Sequence, residues 1–376
     1  MMTKISLLKC KDYDNANITV KEAVNLLGGI SSFVKPGEKI LVKPNLLSPK
    51  TPDKAVTTHP EIVRAVIQLV KKAGAVPVVG DSPGGAAHTN IKELWDVTGM
   101  TQVCKEEGVE IVSFEAAGAK EIDINDVNVE KVLFSNIVLD CDGIINLPKL
   151  KTHSLMTFSS GIKNLYGCIP GLRKVEYHKL ASKNEDFGHL LANIYLFLKN
   201  KIRFTLVDGI LGMEGNGPSS GDIRKIEMIA ASSDTMMLDA FLFDSLGGNI
   251  MKNHIFKKLN IFPDNLNRLS IIGKLPGDFD LSNFRFPHTI KLDLFPRSFI
   301  RILGKFLWVK TRVNLSKCGG CMFCVKSCPV HAIEIKEDIK RPFVIDKKCI
   351  SCFCCHELCQ FRAIDFKKSL LAKLFM

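Results

Sequence analysis

Eight of the thirteen cysteines fall in one doubled pattern near the carboxyl end. Cys318-x2-Cys321-x2-Cys324-x3-Cys328-Pro329 is followed by Cys349-x2-Cys352-x2-Cys355-x3-Cys359, each thiol 31 residues after its counterpart. The match continues past the thiols: Ala332-Ile333-Glu334-Ile335 is echoed by Ala363-Ile364-Asp365-Phe366 at the same offset. Self-similarity at a fixed period marks a duplicated supersecondary unit. The unit reads as a cysteine loop, a helical turn and a short strand, and it occurs twice.

Three thiolates spaced three residues apart wrap a loop around one corner of an iron–sulfur cube, and the fourth in the run does not comfortably reach the same cube. The stretch from about Ser316 to Phe366 resembles the bacterial two-cluster ferredoxin, in which that fourth cysteine serves the other cube. The resemblance implies two [4Fe–4S] clusters. Cys318, Cys321, Cys324 and Cys359 would hold one, and Cys349, Cys352, Cys355 and Cys328 the other. Gln360 departs from the pattern, standing where a proline is usual. Cys354 is an extra thiol beside a ligand, which leaves open which of two adjacent sulfurs binds. Paired CxxC motifs also bind zinc, but the doubled rhythm of eight cysteines favours iron.

The chain has 376 residues, which leaves some 300 for a body with a substantial core. Net charge is +12 and unevenly placed. Residues 285–376 hold 18 Lys+Arg against 7 Asp+Glu, and residues 1–284 hold 33 against 32. A basic tail can mark a nucleic-acid or membrane surface. The lysines are interspersed and no recognition motif accompanies them, so nucleic acid is disfavoured. Anionic clusters would cancel part of the excess locally. Met1 to Cys10 lacks the apolar core of a signal peptide, and no run of 18 apolar residues occurs. Cys10, Cys104, Cys141, Cys168 and Cys354 show no paired secretory spacing. These features lead us to expect a cytoplasmic protein, and oxygen-labile clusters suggest an anaerobic or low-oxygen one.

Lys4–Lys9, Lys39–Lys43 and Val76–Gly80 read as strands, with helices over about Thr19–Leu27 and Pro60–Ala73 between them. This alternation predicts an α/β domain, a mainly parallel sheet covered by helices. A helix over Ile91–Glu106, a strand at Glu110–Phe114 and an irregular, antiparallel excursion up to Ser135 follow. Gly143–Leu147 reads as a buried strand that runs into Pro148-Lys149-Leu150-Lys151-Thr152-His153. Ser159–Gly171 reads as a long glycine-rich loop, of a kind that is often functional. Further on are a helix near Gly188–Lys199, strands at Arg203–Val207 and Lys225–Ala231, and a helix over Asp234–Leu246. The expected division is 1–284 for the α/β domain, 285–316 for a basic amphipathic connector, 317–366 for the small α+β two-cluster unit, and 367–376 for a basic tail. The stripe over 295–313 could rest on anionic lipid as a peripheral membrane contact. Packing against its own domain is the preferred reading.

Polar clusters fall at the expected strand ends and loops: Lys43 with Asn45, Asp81 with Ser82, Lys149 with His153, Asp208 with Glu214, and Lys163 with Asn164 and His178. Ligands of open α/β sheets gather at the carboxyl ends of strands. Lysines, histidines and carboxylates together suit an anionic substrate or a hard metal. The patterns Lys-Pro-Asn (43–45), Thr-His-Pro (58–60) and Gly-Asp-Ser-Pro-Gly (80–84) resemble the domain-of-unknown-function family 362. So do Asn-Leu-Pro-Lys-Leu-Lys-Thr-His (146–153), Gly-Ile-Lys-Asn-Leu-Tyr-Gly (161–167) and Asp-Gly-Ile-x3-Glu-Gly-x-Gly-Pro (208–218). The similarity spans roughly Ile5 to Leu275. Members often carry a ferredoxin-type segment, and the family supplies no settled reaction.

Three functions are compatible with these residues. An iron–sulfur oxidoreductase would take electrons from a redox partner protein to an anionic substrate in the α/β domain. In it Lys149, His153, Lys163 and Asp208 would form the catalytic set, and Lys43, Asn45, Asp81, Ser82, Asn164 and Glu214 the substrate-binding set. A non-catalytic electron carrier or assembly protein would use the α/β domain only to dock a partner. A third, weaker reading places a divalent metal between Asp208, Glu214 and Asp81. The sequence carries no signal for oligomeric state.

Overall fold

The computed structural model describes residues 2–84, 90–287 and 308–370. The strands are β1 (Thr3–Lys9), β2 (Lys39–Pro44), β3 (Val76–Asp81), β4 (Glu110–Ser113), β5 (Ala119–Asp123), β6 (Lys131–Ser135), β7 (Gly143–Leu147) and β8 (Lys149–His153). They continue with β9 (Thr157–Ser159), β10 (Ile202–Glu214), β11 (Asp222–Ser232), β12 (Leu269–Gly273), β13 (Val309–Val313), β14 (Ile333–Lys336), β15 (Arg341–Val344) and β16 (Ile364–Lys368). The large sheet runs β12-β1-β11-β10-β7-β2-β3-β4, with β8 beside β10 and β9 beside β8. Pairing is parallel throughout except at β11 and β9.

Alternation along the strands sends side chains to two cores, one on each face of the sheet. Ile40, Val42, Val79, Ile145 and Leu206 face the helices Ala16–Leu26 and Pro60–Lys72. Leu41, Val78, Ile144 and Val207 face the helices Asn184–Leu198 and Thr235–Ser245. The helix Pro60–Lys72 starts with proline at its first position and His59 as cap, whose Nδ1 accepts from the Glu61 N–H. It ends at Gly74, whose φ of +76° is strained for any residue with a Cβ.

Three expectations change. The predicted helix over Ile91–Glu106 is two helices, Ile91–Val97 and Met100–Glu106, broken at Gly99 with φ +78°. Lys149 and His153 do not sit just past a strand end: residues 149–153 form β8, a strand of their own, buried along its whole length. Parallel pairing sets Lys149 opposite Asp208, and that carboxylate lets a lysine-bearing strand enter the core. The glycine-rich segment 159–171 is compact, with helical turns at Gly161–Asn164 and Leu165–Cys168. The carboxylate of Asp239 accepts the N–H groups of Gly161 and Ile162, both at 2.8 Å, and pins that turn.

In the small unit β13 pairs antiparallel with β16, and β14 with β15. The stripe over 295–313, whose Arg297, Arg301 and Lys305 would share one face of a helix, is not helical at its end, where Val309–Val313 is a strand. Residues 295–307 of that stretch, residues 371–376 of the tail and Gly85 of the turn after β3 lie outside the described residues. The small unit is seated on the α/β body. Ser219 Oγ donates to the Glu357 carbonyl, His356 Nε2 lies 3.1 Å from the Asn216 carbonyl, and Lys50 Nζ donates to the Gln360 carbonyl. Gly84 packs between Leu47 and Leu358, where a Cβ would come within 3.0 Å of each.

Candidate active site between the strand ends and the second cysteine loop

The carboxyl edge of the sheet holds two buried ion pairs and a buried lysine bonded to a serine hydroxyl. Lys43 Nζ donates to Asp81 Oδ1 at 2.7 Å, and Asp81 Oδ2 accepts the Leu46 N–H at 2.7 Å. Gly167 covers this pair, and a Cβ there would lie 2.3 Å from Asp81 Oδ1. Lys149 Nζ lies 2.9 Å from Asp208 Oδ2 and donates to the Tyr13 hydroxyl at 2.7 Å. That hydroxyl donates to Asp208 Oδ1, and the His59 N–H donates to Asp208 Oδ2. Burial pushes the Tyr13 phenol pKa up and the Lys149 ammonium pKa down, with Asp208 opposing the latter. His59 stacks on Tyr13 at 3.5 Å, and burial lowers its pKa to about 4. Lys174 Nζ donates to Ser82 Oγ and to the carbonyls of Ser82 and Ile169. The Ser82 hydroxyl donates to Glu115, which also accepts the Gly171 N–H. Burial works against ionisation of Glu115, but the Ser82 hydroxyl and the Lys174 charge outweigh it and hold its pKa down.

Lysines 149 and 151 and His153 sit at alternate positions of β8, so they share one face. Lys151 Nζ donates to Asn45 Oδ1 at 2.6 Å and to the Val56 carbonyl at 2.7 Å; burial, then the nearby Lys163, lowers its pKa to about 7. His153 Nδ1 accepts the N–H groups of Leu155 and Met156, which puts the ring proton on Nε2. That atom lies 3.2 Å from Glu357 Oε1, outside hydrogen-bond geometry, and both atoms are buried without a hydrogen-bond partner. Burial holds the His153 pKa well below its usual value.

Beside this set lies a cavity of about 70 Å³. Asn45, Asp81, Ser82, Lys163, Asn164, Tyr166 and His178 line it from the α/β body, and Cys354, Glu357 and Leu358 from the small unit. Several of its polar groups are unsatisfied. Asn164 Oδ1 and His178 Nδ1 are buried with no partner among the described residues. Lys163 makes no hydrogen bond to the described residues; its Nζ sits over the Tyr166 and Phe187 rings at 4.9 and 5.6 Å. Burial lowers the pKa of Lys163, and it lowers that of His178 to about 3, with Lys163 adding to the effect. Buried polar atoms left open are uncommon in native structures, and here they share one small space.

The sequence-selected residues therefore divide. Asn45, Asp81, Ser82, Lys163 and Asn164 line the cavity, and His153 stands behind Glu357. Lys43, Lys149 and Asp208 are taken up in internal pairs and do not line it. Glu214 is elsewhere, held by Arg224 at 3.0 Å and Arg285 at 2.8 Å. The divalent-metal reading is corrected accordingly. Asp81, Asp208 and Glu214 each already face a cation, and no three His, Cys, Asp or Glu side chains among the described residues converge on a single-ion site. Sequence reasoning passed over Lys151 and Glu357. The period of two through Lys149, Lys151 and His153 was the available signal for the first. Nothing local marks the second, which reaches the cavity from the other unit.

The cysteines form two groups. Cys318, Cys321, Cys324 and Cys359 line one cavity; Cys328, Cys349, Cys352 and Cys355 line another. Each group draws its fourth thiol from the other run. Thiolates of a cube bind separate irons, so they surround a space without meeting at a point, and the donor set fits such a group. Cys355 faces the second cysteine space, whereas Cys354 faces the cavity shared with the α/β body.

A mainly parallel α/β body with a cysteine-rich unit docked over its strand ends defines a class: an α/β protein joined to an iron–sulfur electron-transfer module. Residues 40–244 match the family described as Domain of unknown function (DUF362), and residues 317–363 match the 4Fe-4S dicluster domain. The thylakoid-associated protein sll1697 of Synechocystis sp. is 36% identical over 249 residues, covering 65% of this chain and 75% of that relative. The chain belongs to the DUF362 family, and its carboxyl-terminal unit binds [4Fe–4S] and serves electron transfer. Among solved structures, the lactate racemase apoprotein from Thermoanaerobacterium thermosaccharolyticum aligns with TM-score 0.42 and 14% identity over 64% of this chain. This chain spans 56% of that protein, and so distant a likeness carries no argument. No described helix is long and apolar enough to cross a membrane.

Proposed function

We propose that the protein is an iron–sulfur oxidoreductase that reduces a small anionic substrate held between the strand ends and the second cysteine loop, with electrons supplied by a low-potential redox partner protein. Two [4Fe–4S] clusters, one in each group of four cysteines, supply single electrons when bound. The observation that carries the reading is the cavity built jointly by the α/β body and the loop from Cys354 to Leu358. An electron carrier needs no such enclosed, unsatisfied polar space next to its cluster loop.

The residues define the substrate by charge and size. Asp81 is neutralised by Lys43, and Glu115 by Lys174. Lys151 and Lys163 are left facing Glu357 alone, and one ligand carboxylate or oxyanion would complete the balance. A water needs about 10–15 Å³ of such space, so the cavity takes roughly five or six non-hydrogen atoms. Lys163 would bind the anionic end. Asn164 Oδ1 would accept from a hydroxyl or amine of the ligand, and His178 with Tyr166 would wall off water. His153 Nε2, with Glu357 beside it, would hold the proton nearest the reacting carbon or heteroatom.

The test uses the full chain, reconstituted and reduced without air, against a panel of two- to four-carbon carboxylates and inorganic oxyanions. One of them should reoxidise the clusters, and Lys163→Met should slow that reaction 100-fold or more with the visible cluster spectrum unchanged. Reoxidation by no member of the panel, or equal rates in the variant, would leave the carrier reading standing.

A further inference from the structure

A groove of about 370 Å³ runs along the seam of the two units. Lys50, Lys54, Val56, Ser219 and Ile223 line it from the α/β body, and Gln360, Phe361 and Arg362 from the small unit. Its charged groups are all cations. Lys50 is half-buried and spends its one hydrogen bond on a carbonyl, and its pKa is lowered by burial and then by Arg362. Arg362 is exposed and faces no carboxylate among the described residues, and Lys54 is paired only with its exposed neighbour Asp53. Like charges held this close repel, and an ordinary surface would intersperse acids among them.

The position of the groove gives the charge a use. Phe361 lines both the groove and the space enclosed by Cys318, Cys321, Cys324 and Cys359. One aromatic ring therefore separates the groove from the first cysteine group. That ring packs against Gly319, where a Cβ would lie 2.3 Å from it. Cys321 of the same group is exposed, whereas Cys352 and Cys355 of the second group are buried and flank Cys354 in the chain, which lines the α/β cavity. The small unit has an outward group beside a cationic groove and an inward group beside the substrate cavity.

We infer that this groove is the docking site of an acidic one-electron carrier protein, whose carboxylates enter between Lys50, Lys54 and Arg362. In each encounter the reduced carrier would lose one electron, and the cluster that Cys318, Cys321, Cys324 and Cys359 would hold would gain it. No proton or bond change accompanies the step. The inference rests on the oxidoreductase reading for the use of the electrons, but docking and substrate reduction are measured separately.

The experiment takes the reconstituted full chain and a small acidic ferredoxin as probe. Two readouts are followed without air: its dissociation constant by biolayer interferometry, and the rate at which its reduced form reduces the chain. The Lys54→Glu/Arg362→Glu double variant changes two exposed residues and spares Lys50, which supports the seam. It should weaken binding and slow reduction by tenfold or more at low salt. Raising salt should slow the native chain and leave the variant little changed, because opposite charges steer association at low ionic strength. Reduction by methyl viologen radical, a small cation, should not slow. Native binding that ignores salt, or a variant as fast as the native chain, would overturn the docking site whatever the substrate assay shows. A variant that also loses iron is replaced by Lys54→Ala/Arg362→Ala, for which a threefold or greater loss of binding is expected and no loss overturns the inference.

Discussion

Two sets of lysines stand within one layer of the sheet's carboxyl edge, and they differ in what faces them. Lys43 and Lys149 meet Asp81 and Asp208, and Lys174, which also borders the cavity, donates to the Ser82 hydroxyl and to two carbonyls. Lys163 meets two aromatic faces, a carboxylate from another unit and an unfilled cavity. The first arrangement is what a fold does with a buried charge it must keep. The second is what a binding site does with a charge it must offer. The adjacent thiols Cys354 and Cys355 repeat the contrast, one facing the cavity shared with the α/β body and one the second cysteine space.

The largest effects should break the comparison at the cysteines. Cys355→Ala is expected to remove about half of the iron and acid-labile sulfide, and Cys354→Ala to leave both in place, as read by iron and sulfide assays on anaerobically prepared protein. Loss of iron in both would place the extra thiol in the cluster. Next in size, Lys149→Met strands the Asp208 carboxylate in the core and should cost about 3–5 kcal/mol of stability in denaturant titration. Lys163→Met breaks cation–aromatic contacts and an attraction to Glu357, a carboxyl whose pKa burial already pushes up to about 7, and should cost about 1 kcal/mol or less. Equal costs would erase the distinction between kept and offered charge.

A pH effect comes third. The His59 pKa falls from 6.5 when unfolded to about 4 when folded, so its contribution to stability is present above pH 6.5 and is lost as pH drops toward 4. The loss should be about 2 kcal/mol after allowance for partial exposure. His59→Asn, which can still cap the helix, should flatten stability over that window. An unchanged profile in the variant would assign the acid sensitivity to other groups. The smallest effect should come from Arg285→Ala, which removes the exposed one of two arginines from Glu214 and should barely move the denaturant midpoint, with no change in reoxidation of the clusters. A large activity loss there would return Glu214 to the site.

Much of the α/β body was legible because its signals are local. Val78 and Val79, or Leu41 and Val42, alternate between the two cores as the period of two requires. Pro60 and Gly74 bracket their helix as local backbone preferences dictate. Reading failed at β8, where polar residues after Pro148 hid a further strand. Burial of Lys149 depends on Asp208, 59 residues away, and no local window contains both. Glu214 failed for the same reason, since its partners Arg224 and Arg285 leave it nothing to offer a substrate.

The sequence by itself determined the cysteine framework and the layered body, because thiol spacing and strand or helix periodicity act over a few residues. Only the tertiary structure decided which buried charges are spoken for and which are left open. It also brought Glu357 from the cysteine loop to within 3.2 Å of His153 on β8. The physical reason is that a buried charge is defined by its partner, and here those partners come from distant strands and from the other unit.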